Sequence, residues 1–183
     1  MSKIGVSKFH YAKQTQEDTA SEAARYDAMT AVPGLVSVNV ETTSNTATLY
    51  ADNGPFETAA SLGDVNLTVD LADLDLSVQA DLLGHTLGSD GQLDSKASDV
   101  VPYVGVAFEF LLGNGKKRCV KLYKGKFTEP ADGAQTRGEN VEFQTSEATA
   151  AFVQLKNNGM YKSTKDFDAD ASTDSWYASM LPA

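Results

Sequence analysis

A chain of 183 residues with 42% hydrophobic content is long enough for one globular domain with a sizeable core, and its formal net charge of −10 excludes a protein that grips nucleic acid through phosphate contacts. Its one cysteine, Cys119, cannot form an internal disulfide, so folding needs no oxidising compartment. No apolar run approaches the ~20 residues that span a bilayer, and the N-terminal MSKIGVSKFH lacks a signal-peptide core, so a soluble protein made in a cytoplasm is expected.

Ile4 to Tyr11 reads as a first strand or ordered arm, and residues 12 to 30 as a polar loop with local helicity at Ser21 to Arg25. After the break at Pro33-Gly34, Val36, Val38 and Val40 alternate with polar residues, as do Ala47, Leu49 and Ala51. These are expected as two half-buried strands joined by Thr42 to Asn45. Asp52-Asn53-Gly54-Pro55 is a turn cluster, followed by a loop-like stretch from Phe56 to Gly63. From Asp64 to Ala72, Val65, Leu67, Val69 and Leu71 give the cleanest period of two in the chain. The period then changes. Leu76, Ala80 and Leu83 recur at helical spacing, with Asp73 or Asp75 to cap the start and Gly84 to end it, predicting one helix at about 75 to 83.

Residues 85 to 99 read as a polar loop and 100 to 127 as the central hairpin. Val104, Val106, Phe108, Phe110 and Leu112 share one face, while Gly105, Ala107 and Glu109 share the other. Gly113-Asn114-Gly115 supplies the turn. On the return strand, Val120 and Leu122 point one way and Cys119, Tyr123 and Phe127 the other, so both of its faces need cover. Glu129 to Gly138 reads as a loop, Val141 to Thr145 and Thr149 to Leu155 as strands, and the tail from Asn157 as an acidic arm ending in Trp176, Tyr177, Met180 and Leu181. The expected fold is mainly β: an antiparallel sandwich or barrel of α+β type with one flanking helix, long loops and terminal arms. It forms one domain over 1 to 183, with an N-terminal arm to 34, a β core from 35 to 155 and a C-terminal arm from 156.

Six of the fifteen basic residues, Lys116, Lys117, Arg118, Lys121, Lys124 and Lys126, lie on the return strand without an acid among them. They either blunt an exposed edge or meet an acidic neighbour, such as the acids near 70 to 75 or 166 to 174 of another subunit. Catalytic signals are missing from the sequence: it carries no G-x-S-x-G, P-loop or zinc spacing, and no enzyme or cofactor is expected. His85, just past the helix and near Asp81, reads as a helix C-terminal cation. Asp166-x-Asp168-x-Asp170 resembles the opening of a calcium loop, but Ala171 stands where glycine belongs and Tyr177 where the closing Glu belongs.

In the collinear order KIGVSKFHYAK, PGLVSVNVE, TATLYADNGPFETAASLG, ADLDLSVQADLLGH, PYVGVAFEFLLGNGKKRCVKLYKGKF and GENVEFQT, over residues 3 to 155, the chain resembles the major tail proteins of long-tailed, non-contractile bacteriophages, in the branch common among phages and prophages of Gram-positive hosts. The resemblance implies a structural virion protein that stacks as hexameric rings into the tail tube. Its partners would be itself, the tape measure protein and the tail terminator and distal tail proteins, with double-stranded DNA passing through unbound. An acidic wall suits such a conduit because carboxylates repel phosphate. On this basis Glu109 is expected to face the lumen. The expected subunit interface comprises the six basic residues of the return strand, Asp52, Asn53 and Gly54 of the turn, His85, and Trp176 and Tyr177 of the tail. The other reading of a β-sandwich without catalytic residues is a carbohydrate- or receptor-binding module of a virion or cell surface.

Overall fold

Alternation drives the centre of the molecule. The computed structural model describes residues 2–131, 133 and 145–181. In it Val104–Leu112 (β8) and Lys117–Phe127 (β9) pair as the expected hairpin, with Gly115 left-handed in the turn. On the far edge of β8 lies Lys3–Gln16 (β1), which in turn carries Arg25–Tyr26 (β2) and Thr30–Val32 (β3) on its outer side. The stretch expected as a loop with local helicity therefore holds two short strands and no helix.

Leu35–Ala51 (β4) and Gly54–Leu71 (β5) form a second hairpin, and Ser146–Val153 (β10) joins β5 to β9. Lys162–Phe167 (β11) also pairs with β9, ahead of β10 on the edge opposite β8. The result is a nine-stranded antiparallel sheet in the order β2-β1-β8-β9-β10-β5-β4, with β3 on β1 and β11 on β9. Thr86–Leu87 (β6) and Leu93–Asp94 (β7) pair separately within the region expected as a loop. The sheet brings β1 close to β4 but is not closed into a barrel. The strand expected at 141 to 145 lies, apart from Thr145, outside the described residues, as does most of the 129 to 138 loop.

The curled sheet buries one main core between its halves, with Phe9, Val106, Phe108 and Leu122 on one side and Leu67, Val69, Leu71 and Phe152 on the other. The helix Leu76–Leu83 (α1) closes one end of it. Asp75 caps its first turn through Ser77 N, and Gly84 ends it in the left-handed conformation. Its buried residues are Val78, Leu82 and Leu83, whereas Leu76 of the expected stripe is 45% exposed.

A bulge in β9 corrects the parity read from the sequence. Val106 faces Leu122 but Val104 faces Gly125, so an extra residue sits between them, and the facing pattern reverses past Tyr123. Phe127 consequently joins Val120 and Leu122 in the main core instead of pointing away from them. Gly125 is where this works: a Cβ there would lie 2.6 Å from the Phe152 ring.

The opposite face of β1, β8 and β9 is covered too. Ala12, Ala24, Tyr123, Leu155 and Met180 form a smaller cluster there, so chain from residues 17 to 29, the 155 to 161 turn and the C-terminal segment makes a second layer. At Gly105 an added Cβ would meet Met180 Cε at 2.7 Å.

Candidate functional site

The feature that leaves the body of the molecule is the β4–β5 hairpin. The two strands expected at 36 to 40 and 47 to 51, and the loop expected at 56 to 63, are one ribbon paired from Leu35 opposite Leu71 to Ala51 opposite Gly54. Thr42 to Asn45 is no connection: it contains only an irregularity in the ladder. The turn is Asp52-Asn53, both left-handed with φ of 51° and 61°, as a two-residue hairpin turn demands.

Between 41 and 62 every residue but Gly54 is exposed, so both faces of the ribbon stand in water. About ten residues per strand at ~3.3 Å rise give it a reach of roughly 33 Å. Leu49, Tyr50, Phe56 and Leu62 are 58%, 71%, 72% and 43% exposed. Alternation puts Leu62 on the same face as Thr58, whose hydroxyl lies 3.3 Å from that of Thr48 across the strands, while Phe56 is the extra residue of an irregularity in the ladder. From 41 to 63 the ribbon carries Glu41, Asp52 and Glu57 and no base. Asp52, Asn53 and Gly54 thus remain available at the tip.

The basic strand is a different matter, and the reading of it as an exposed edge is corrected. β9 lies inside the sheet, flanked by β8 and by β10 and β11, so its lysines blunt no edge. Three of the six, Lys116, Arg118 and Lys124, meet acids of the same chain, and the other three meet a carbonyl or an aromatic ring of it. Arg118 makes a two-pronged pair with Asp166, at 2.7 and 2.8 Å, and Lys116 reaches Asp168 at 2.8 Å. Lys117 donates to the Ala171 carbonyl and Lys121 to that of Ser179. Lys126 stands 4.5 Å from the centre of the Tyr103 ring.

Lys124 is the most buried of them. Its ammonium lies 2.6 Å from Asp18, itself 1% exposed, and 3.0 Å from Glu17. Burial alone would lower its pKa, but the hydrogen bonds it donates to Asp18 and Glu17 outweigh that and raise it. Burial likewise works against ionised Asp18, yet Lys124 and the backbone N–H of Lys156 hold its carboxyl below the usual range. One acid thereby ties the 17 to 24 segment, β9 and the chain after β10 together. Nothing in the local sequence around Asp18 marks it; its partners are more than a hundred residues away.

Glu109 does not line an open surface. It is 5% exposed, and its carboxylate accepts from Ser7 Oγ at 3.0 Å and Thr173 Oγ1 at 3.1 Å, with Lys8 Nζ at 3.8 Å and the Cys119 thiol at 3.9 Å. The lumen assignment is therefore corrected: the C-terminal segment supplies the second layer that the small residues of that face admit. A bulge in β1, with Lys8 left-handed at φ 56°, directs Lys8 onto the same cluster, where it donates to Thr173.

The remaining expected interface residues are also engaged within the chain. Trp176 meets Phe167 edge to face, and the Lys121 ammonium lies 4.4 Å from its ring centre. Tyr177 stacks on His10 at 4.3 Å. His85 pairs with Asp99 at 2.9 Å and Glu129 at 3.1 Å, while Asp81 belongs to Lys13 and the Tyr11 hydroxyl. Asp166 and Asp168 of the acidic run are held by Arg118 and Lys116. Among the described residues no group of three or more His, Cys, Asp or Glu is placed to hold a metal ion, and no helix is long and apolar enough to cross a membrane. The chain matches no family model and no curated protein.

Proposed function

We propose that this protein is a structural, non-enzymatic subunit that polymerises with itself, as stacked hexameric rings, into the tail tube of a long-tailed, non-contractile bacteriophage. The observation that carries the reading is the 42 to 63 ribbon. A two-stranded hairpin alone in water is at best marginally stable, and this one holds four large apolar side chains away from any core. A neighbouring subunit that covers it supplies the missing burial. The collinear resemblance over 3 to 155 and the net charge of −10, suited to a conduit to which DNA does not adhere, support the same reading. Tape measure, terminator and distal tail proteins are the further partners it implies, and the virion is the place.

Electron microscopy and size-exclusion chromatography of purified protein test it, beside a Tyr50→Ser/Phe56→Ser variant. Wild-type protein is expected to form rings or tubes. The variant should stay monomeric with its stability within about 0.5 kcal/mol per site, because neither side chain touches the core. A wild-type chain that remains monomeric at every concentration, or a variant that assembles equally well, overturns the proposal.

A further inference from the structure

Residues 168–181 cross the outer face of β8 and β9 as a single strand of cover, with one helical turn at Asp174–Tyr177 (α2). Beneath them lie Glu109, Lys121 and Cys119, which are 5%, 4% and 0% exposed. Sandwiches usually bury apolar residues under such a layer, yet here two charges are kept dry. Lys121 has a backbone carbonyl, Ser179 O at 2.6 Å, and the Trp176 ring as neighbours, and burial pushes its pKa down. Two donors of the cover are themselves poorly served: Trp176 Nε1 and the Tyr177 hydroxyl are buried without a well-formed hydrogen bond among the described residues. Buried polar groups without partners weaken the contact that buries them, whereas water satisfies all of these groups at once.

We propose that residues 168–181 form a releasable strap, which opens as a unit from a β body that stays folded and thereby uncovers Glu109, Cys119 and Lys121. The body loses little by it. The main core between β5, β8, β9, β10 and α1 contains no residue of the strap, and only Met180 belongs to the smaller cluster on the outer face. The boundary falls where the ladder ends, since β11 stops at Phe167 and Asp166 and Asp168 anchor that point to Arg118 and Lys116. Thr173 is the central fastening: its hydroxyl accepts from Lys8 Nζ at 2.8 Å and donates to Glu109 at 3.1 Å. Such an element belongs to the low-stability end of a structure, opening far more often than the chain unfolds.

Cys119 reports the motion directly, being the single cysteine of the chain and fully covered when the strap is closed. The test is the rate at which Ellman's reagent labels purified wild-type protein in increasing urea, compared with global unfolding followed by circular dichroism. A local opening is expected to give a labelling rate that changes little over the first additions of urea, since little surface is exposed, before joining the global slope. Trp176→Ala is expected to raise the rate without urea by at least about tenfold, which corresponds to ~1.4 kcal/mol of lost closure. Labelling that follows the full global slope from the first addition overturns the proposal, and so does an unchanged rate in a folded Trp176→Ala variant. Should that variant not fold, the urea dependence of the wild-type rate decides alone.

Discussion

Asp18→Ala removes a buried carboxylate that two groups depend on, and the structure sets the size of the effect. Lys124, 1% exposed, keeps Glu17 at 3.0 Å and the Tyr103 ring at 4.6 Å, but loses its one buried counter-charge, and the N–H of Lys156 loses its acceptor. Breaking one partner of a buried pair costs about 3 to 5 kcal/mol, and the surviving Glu17 contact places this case near 3. With an unfolding entropy of ~2.1 cal/mol/K per residue, the chain should lose roughly 8 °C in its thermal midpoint. Scanning calorimetry on Asp18→Ala, Lys124→Met and the double variant measures it. The double variant should recover most of the loss, because a methionine leaves no charge stranded. The pH profile carries a second signature. Asp18 has a depressed pKa, so its contribution is present above its ordinary value of about 3.8 and is lost as pH falls through the lower folded-state value. Asp18→Ala should therefore flatten the acid limb below about pH 3.8. A midpoint lowered by less than about 3 °C, with no change in the acid limb, would refute the buried ion pair as an anchor of this fold.

Two glycines that both lack room for a Cβ should respond differently. Gly125→Ala drives a methyl into the Phe152 ring, fixed in the main core, and is expected to cost about 1 to 3 kcal/mol; Gly105→Ala meets only the flexible thioether of Met180 and should cost well under half as much by urea unfolding. Equal losses would show the outer layer to be as rigid as the core. Hydrogen bonds that charged His85 donates to Asp99 first and Glu129 second raise its pKa above its ordinary 6.5. The stability that charged His85 contributes is thus full below about pH 6.5 and disappears as pH rises through the folded-state value. Thermal midpoints of wild type and His85→Gln should diverge on the acid side and converge in alkali; parallel profiles would remove the histidine from the account.

The central hairpin was legible because one face of β8 is large and apolar and the turn residues fit no other connection. The helix was legible through its caps, Asp75 and Gly84, more than through its apolar stripe. What the sequence concealed follows a physical pattern. The outer half of the β4–β5 ribbon has no buried side, so Thr58 and Ala60 show no contrast between faces and their strand reads as a loop, while the strand expected at Ala47 to Ala51 as half-buried stands in water. The bulge in β9 leaves no local mark, since Tyr123 and Lys124 fit either face. Lys124 with Asp18 and Glu109 with Thr173 are pairs fixed by long-range register, so the six bases of β9 read as an open surface when the same chain already supplies their partners, acids for three of them and carbonyls or an aromatic ring for the others.

That internal neutralisation changes how two copies of the molecule sense each other at a distance. Lys116, Arg118 and Lys124 are spent on acids of their own chain, and the projecting ribbon bears carboxylates alone, so approaching subunits of net charge −10 meet as bodies of like sign. At low ionic strength their repulsion extends over tens of ångströms, and at ~0.15 M it shrinks to about 8 Å, within which apolar contact can take hold. Dissolved salt then acts as a throttle on any self-association, and the dependence runs opposite to that of a seam between positive and negative faces.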